Sequence, residues 1–363
     1  MEKQSKREWL QLNANESNRV PSALQSLDLN TFEFNRYPDS DASKLKQALV
    51  NELGTTRQFY EPECAYEAVK PENLIIGTGS DEVLKLILET FLPVGGVVLA
   101  PSPTFSEYEK IATIVKGRYV EVAFESLVID IDVLIRCAVK EKADVIFLAN
   151  PSNPTGQLFT LAEIERLIAE TNALIVVDEA YAEFCTTTAI KLALTNPRVI
   201  VTRTLSKAYG MASLRLGFAI AQPEIIARMA NLKLTYNISG LSEWLAIKAL
   251  ETSEGARRYS EQVVQLRGKA LWLLNQQPSL KIFKSAANFI LIEIEDDSKR
   301  VTLRNRLASA GVRVRSFEAN VGRLGRCIRV TLTDEQEFVM VYTFFKEIDI
   351  SSEIQGIGGS YGR

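Results

Sequence analysis

Histidine is missing altogether from this chain of 363 residues, and that absence narrows the chemistry more than any other total. Without imidazole there is no Ser-His-Asp or Cys-His nucleophilic system, no H-E-x-x-H metal site and no histidine-based acid/base catalysis. An enzyme built from this sequence must carry its protons on lysine, carboxylate, tyrosine or cysteine. Cysteine is scarce too: Cys64, Cys137, Cys185 and Cys327 are widely scattered and form no C-x-x-C pair. That pattern fits reduced, semi-buried thiols in a cytosolic protein rather than a disulfide framework, and no metal site is expected.

Long apolar runs are also lacking. The opening stretch MEKQSKREWLQLNANES has no apolar h-region, and no later run approaches the ~20 residues needed to cross a bilayer. A soluble, cytoplasmic protein is expected. The net charge of −3 offers none of the clustered positive charge on which non-specific binding to nucleic acid or anionic membranes relies, so neither is expected as a partner.

What is present is ordinary globular material, 46% hydrophobic and 24% charged, with a length that suggests about two domains. Residues 1–36 are polar and irregular and read as an N-terminal arm packing with the smaller domain. After the turn Arg36-Tyr37-Pro38-Asp39, helical spacing runs from Ala42 to Leu53, and residues 55–71 read as an inserted loop. Seven short β-rich runs follow, at 74–76, 97–100, 118–122, 145–149, 174–178, 199–203 and 216–221, with helices at 80–91, 104–116, 131–141 and 160–170 between them. Most of these runs are continuously apolar, as in a largely parallel sheet covered on both faces. The expectation is an α/β protein. Its large domain, 37–235, carries a seven-stranded, mostly parallel sheet, and a smaller α+β domain spans 236–363. The smaller unit should contain a long helix near 255–276, weaker strands at 288–294, 312–314 and 327–332, and helices near 300–310 and 334–348. The Gly/Ser-rich tail is expected to fray.

Ligands of open parallel sheets sit outside the carboxyl ends of the strands, which directs attention to the residues after each run. Gly77-Thr78-Gly79-Ser80-Asp81-Glu82 opens a helix and offers free N–H groups to a phosphate; equally, Ser80 and Asp81 can serve as an N-cap. It is no dinucleotide fingerprint, since the third glycine is absent. Phe105 can present an aromatic face to a flat ligand or belong to the core. Asn150-Pro151-Ser152-Asn153-Pro154-Thr155-Gly156 is a rigid turn whose asparagines offer neutral donors. Asp178 ends five apolar residues with no lysine or arginine within eight positions on either side. A buried charge needs a partner, and a cationic ligand atom would supply it, with the Tyr181 phenol nearby. The segment 198–220 sets Lys207 between two strand-like runs, with Thr204, Ser206 and Arg215 around it. That is chemistry for holding an anion beside an amine.

N-P-T-G at 153–156, D-E-A-Y at 178–181 and T-L-S-K-A-Y-G-x-x-x-L-R-L-G at 204–217, in this order, resemble the fold-type-I pyridoxal-phosphate enzymes, specifically the class I/II aminotransferases. With L-N-A-N-E (12–16), R-Y-P-D (36–39) and G-S-D-E (79–82), the chain is most similar to the histidinol-phosphate aminotransferases among them. The resemblance spans about residues 11 to 348. It implies pyridoxal 5′-phosphate as cofactor, anchored by Lys207, which would also shuttle the proton. Asp178 would pair with the protonated ring nitrogen, Asn153 and Tyr181 would bond the ring hydroxyl oxygen, and Phe105 would stack on the ring. The phosphate would lie among Gly79, Ser80, Asp81, Thr204, Ser206 and Arg215, with Tyr37 reaching in from the partner subunit of a homodimer. Arg329 would clamp a substrate carboxylate, Arg315 would meet the substrate's phosphate, and Asn15 belongs to the substrate side. The implied substrates are an amino acid or amino alcohol phosphate and a 2-oxo acid. A threonine-phosphate decarboxylase-like enzyme or an aromatic aminotransferase shares most of these motifs, and a silent aminotransferase-like binding module is the non-enzymatic alternative.

Overall fold

The computed structural model describes residues 9–64, 66, 68–318 and 322–348; the expected fraying of the tail falls outside them. In chain order the elements are β1 (Leu10–Leu12), α1 (Ser43–Thr56), β2 (Leu74–Thr78), α2 (Gly79–Phe91), β3 (Val97–Ser102), α3 (Glu107–Ile114), β4 (Arg118–Ala123), α4 (Ile131–Glu141), β5 (Val145–Ala149), α5 (Leu161–Glu170), β6 (Leu174–Asp178), α6 (Ile190–Thr195), β7 (Val199–Thr204) and β8 (Leu216–Ile220). There follow α7 (Pro223–Ala230), α8 (Gly240–Leu250), α9 (Glu254–Leu274), β9 (Lys281–Ile282), β10 (Phe289–Glu293), α10 (Asp297–Ser309), β11 (Val312–Ser316), β12 (Cys327–Thr331) and α11 (Glu335–Lys346).

The large sheet has seven strands in the order β2-β8-β7-β6-β5-β3-β4. The contacts from β4 through β7 are parallel, and β8 alone runs against its neighbours. Alternation of side chains sorts the apolar runs onto two faces. Ile146, Leu148, Ile175 and Val177 meet α1, α4, α5 and α6 on one side. Val145, Phe147 and Val176 meet α2, α3 and α7 on the other. Two covered faces explain why the strands read as continuous apolar runs. Strand order reverses between β3 and β5, which opens a crevice at their carboxyl ends.

The smaller sheet has the order β1-β11-β12-β10-β9. β1 corrects the expectation of an irregular arm: Leu10–Leu12 pairs in parallel with Val312–Val314, a strand too short to register as a periodicity. Helix α8, expected within the smaller unit, instead contributes Ala246, Ala249 and Leu250 to the core formed with α1. The expected loop at 55–71 is helical in part, with α1 running to Thr56, 3-10 turns at Arg57–Phe59 and Pro62–Cys64, and Cys64 buried. Helix α3 begins three residues later than its apolar spacing suggests, because Thr104, Phe105 and Ser106 form the turn after Pro103.

One residue beyond Asp178, Glu179 points to the opposite side of the chain and finds a conventional partner. Arg203 donates to it from Nε (3.0 Å) and Nη2 (2.7 Å), and Thr188 and the Ala189 amide complete its shell. Glu183 stands 3.9 Å from the same guanidinium, and its Oε2 is buried without a hydrogen-bond partner among the described residues. Burial, opposed by Arg203, pushes the Glu183 carboxyl up to about 7. Because this folded-state value exceeds the unfolded one, the group binds extra protons when folded, and its ionisation removes stability as pH rises toward 7. Urea titrations of Glu183→Gln should therefore show a smaller loss of stability between about pH 5 and about pH 8 than the wild type, by up to roughly 3 kcal/mol. Equal losses in the two proteins would refute this.

Candidate active site

At the carboxyl ends of β3, β5, β6 and β7, under the arm and beside the small sheet, lies a cavity of about 460 Å³. Of the residues singled out in the sequence, it gathers Asn15, Ser80, Asp81, Phe105, Asn153, Asp178, Tyr181, Thr204, Ser206, Lys207, Arg215, Arg315 and Arg329. Two lie outside the lining. Gly79 is adjacent, beneath Arg215; Tyr37 is 82% exposed and stacks on Tyr236 with centroids 4.8 Å apart.

Lys207 sits in the turn that leaves β7. The Thr204 hydroxyl holds the base of that turn, donating to the Leu216 carbonyl (3.3 Å) and accepting from the Ser206 amide (3.1 Å). This leaves the Ser206 hydroxyl buried and without a partner among the described residues. Lys207 Nζ donates to the Ala14 carbonyl of the arm at 2.8 Å. Burial, with Arg329 as the foremost charge and Arg215 adding to it, lowers its ammonium to about 8 against the pull of Glu16. An amine in that range is available both as nucleophile and as proton carrier near neutral pH.

The anion-binding corner depends on two glycines. Arg215 takes a left-handed backbone, φ 52°, and its guanidinium crosses Gly79, where a Cβ would stand 2.7 Å from Nη2. A Cβ on Gly217 would lie 2.3 Å from the Ser80 amide nitrogen. Only glycine lets β8 pass beneath the start of α2. There Arg215 meets Asp81 at 3.0 Å, and the first turn of α2 carries no side-chain cap. The alternative of Ser80 or Asp81 as N-cap is thus corrected, since Thr78 occupies that position. Uncapped amides, the positive helix end and Arg215 together make a seat for an anion.

Asp178, the last residue of β6, is buried, and no ion pair reaches it among the described residues. Tyr108 donates to Oδ2 at 2.8 Å and Thr202 to Oδ1 at 3.2 Å. Burial raises its carboxyl to about 6, while these two hydroxyls pull it down and Asp81 adds to the rise. Across the cavity, Arg329 donates from Nη1 to Asn153 Oδ1 and from Nη2 to the Asn13 carbonyl, the latter at 2.7 Å. Its Nε is buried and has no hydrogen-bond partner among the described residues. Arg315 lies directly opposite Arg329 in the β11–β12 register, so both guanidiniums share one face of the small sheet. Asn15 donates to the Tyr181 hydroxyl (2.9 Å) and is held by Thr331 and Asn288, which leaves the Tyr181 proton free to be donated. Phe105 does both things expected of it, lining the cavity and packing edge-on against Tyr108 at 5.5 Å.

Several contributors escape a reading of the sequence. Tyr108 follows Phe105 by three residues, and Thr202 pairs in register with Asp178; both are detectable from spacing once the neighbouring residue is singled out. Asn13 and Ala14 act through backbone carbonyls and leave no side-chain signal.

The geometry agrees with what the chain is similar to. Residues 7–341 match the family described as aminotransferase class I and II. A histidinol-phosphate aminotransferase of Ruminiclostridium cellulolyticum is 35% identical over 343 residues, covering 92% of this chain and 90% of the relative. That of Chlorobaculum tepidum is 35% identical over 334 residues, 90% and 91% of the two chains. Among solved structures, a histidinol-phosphate aminotransferase from Sinorhizobium meliloti in complex with pyridoxal-5′-phosphate superposes with a TM-score of 0.81 at 26% identity, covering 94% of this chain and 91% of that one. A cavity at the strand ends with a lysine, a cation-free carboxylate and paired arginines, on a chain matched nearly end to end, establishes that this protein belongs to the aminotransferase class I and II family.

Proposed function

We propose that the protein is a pyridoxal-phosphate-dependent aminotransferase that moves the amino group of histidinol phosphate to 2-oxoglutarate. The observation that carries this reading is the convergence of Lys207, Asp178, Arg215, Arg315 and Arg329 on one cavity. The residues fit the cofactor on their own terms. Among the described residues Asp178 is a buried carboxylate whose side-chain partners are neutral and Ser206 is a buried hydroxyl left unpaired beside the anion seat, and Gly79 and Gly217 keep that seat open.

When bound, pyridoxal 5′-phosphate supplies a carbonyl carbon that takes up the amino group and a ring that withdraws electrons. Lys207 Nζ would anchor it and, once free, carry the proton removed from the substrate's α-carbon. Asp178 would hold the ring nitrogen in its protonated form. The Asn153 amide and the Tyr181 phenol would donate toward the ring oxygen. The α2 amides, Ser206 and Arg215 would hold the phosphate, with Thr204 shaping the loop that presents them. Arg315 and Arg329, side by side, suit a dianionic group: the phosphate of one substrate, the carboxylates of the other.

The same reading includes a cytoplasmic homodimer. Phe34, Tyr37, Leu232, Leu234 and Tyr236 are all exposed, with Tyr37 stacked on Tyr236; a second copy covering them would bring Tyr37 toward the partner's phosphate seat. All four cysteines are free thiols, and no helix among the described residues is long and apolar enough to cross a membrane.

Titrating the purified, cofactor-loaded protein with histidinol phosphate should convert its visible absorbance to that of the pyridoxamine form, and 2-oxoglutarate should restore it. Release of carbon dioxide from an amino acid phosphate without spectral cycling would favour the decarboxylase reading instead.

A further inference from the structure

Asp178 and Glu179 are neighbours treated in opposite ways. Glu179 is neutralised by an arginine that places two N–H donors on its Oε2, which suits a structural carboxylate. Asp178 is given two hydroxyls. A cation placed there would cancel the negative charge before any ligand arrived; neutral donors keep the carboxylate ionised without spending that charge.

We propose that Tyr108 is a positioning residue for the transamination chemistry, holding Asp178 charged and aimed so that it can engage the protonated ring nitrogen of the cofactor. This rests on the reading of the cavity as a pyridoxal-phosphate site. Tyr108 is fully buried on α3, and its ring is wedged between Phe105 (5.5 Å, edge-on) and Phe147 (4.7 Å). The hydroxyl therefore has little freedom to leave Asp178 Oδ2. Its phenol is driven well above the ordinary tyrosine value by burial and by Asp178 itself, so it remains a donor throughout the working pH range. Because the phenol stays protonated it donates to Oδ2, and that charge-assisted bond favours the ionised carboxylate over the protonated one. Phe105 gains a second role here: the side chain placed to face the ring also braces the tyrosine that orients the carboxylate.

The groups facing Asp178 are few. Asp81 comes from α2, Tyr108 from α3, Thr202 from β7 and Tyr181 from its own loop, with Lys207 lining the same cavity. Tyr108 and Thr202 are the side-chain hydroxyls that donate to it, and removing either makes the carboxylate harder to ionise.

The test uses the full chain stripped of cofactor and measures pyridoxal 5′-phosphate affinity by fluorescence quenching between about pH 5.5 and about pH 8.5. In wild type, affinity should fall as the pH drops through the Asp178 midpoint. Tyr108→Phe should move that midpoint upward by about one pH unit, giving roughly tenfold weaker binding at slightly acidic pH and much less change at alkaline pH. Thr202→Val, which removes the longer hydrogen bond, should move it in the same direction by less, and it keeps the test alive should Tyr108→Phe fail to fold. A midpoint unchanged in both variants, with binding weakened equally at every pH, would mean that Tyr108 only fills space and would overturn the proposal. Failure of the wild type itself to bind pyridoxal 5′-phosphate would instead bring down the cofactor reading on which the proposal stands.

Discussion

Replacing Lys207 with alanine should reduce amino-group transfer by roughly 10⁴-fold or more, since a single positioned proton carrier contributes about 10²–10⁴ and Lys207 is also the covalent anchor. Its amine hangs from a turn built by Thr204, Ser206 and Leu216 and points at the arm, where Ala14 receives it. Among the described residues no second lysine lines the cavity to take its place. The loss should not be one of folding. Lys207 is held below its ordinary value, so the folded state disfavours its charge, and removing it relieves a cost rather than a support. The check is borohydride reduction followed by peptide mass analysis: the wild type should carry the cofactor on the peptide containing Lys207, and the variant should carry none. An alanine variant that kept the lysine-linked absorbance and full turnover would move the chemistry to another residue.

The strands of the large sheet were legible because helices cover both faces, which forces β5, β6 and β7 to be apolar from end to end. Asp178 was legible for the same reason, as the one charge closing such a run. Its true environment was not. The sequence shows no cation near it and points to a ligand as its partner, yet Tyr108 and Thr202 already satisfy it in part. Those contacts arise from a helix 70 positions earlier and a strand 24 positions later, and neither tyrosine nor threonine announces its bonding partner by type. The arm illustrates a different limit. Asn13 and Ala14 meet Arg329 and Lys207 through main-chain oxygens, which every residue possesses. Helix α8 lies in the span expected for the smaller unit yet packs with α1, since apolar residues report burial but not the surface that buries them. Tyr37 is the residue whose expected role rests most on the resemblance: within one chain it is exposed and stacked on Tyr236, and only a second copy would give it a site.

Asp178→Asn should separate what this residue does for catalysis from what it does to the fold. The substitution keeps the volume and leaves one oxygen for one of the two hydroxyls and an amide NH2 that the other can accept from, while removing the charge that would hold the ring nitrogen protonated. Transamination should fall by about 10²–10³-fold, the size found when one preorganised electrostatic partner is lost. Stability of the cofactor-free protein should move the other way. Burial raises the Asp178 carboxyl to about 6 from its ordinary 3.8, so the folded state binds more protons than the unfolded between those values, and ionisation costs stability as the pH climbs through 6. Asparagine carries no such cost. Urea unfolding of the stripped proteins should then show the variant more stable than wild type near pH 8, by up to roughly 3 kcal/mol, with the difference vanishing toward about pH 4. A variant that lost stability at high pH would mean that Asp178 is a structural carboxylate like Glu179. Gained stability with lost turnover would mark it instead as a charge kept buried, at a cost to the fold, for the ligand that completes it.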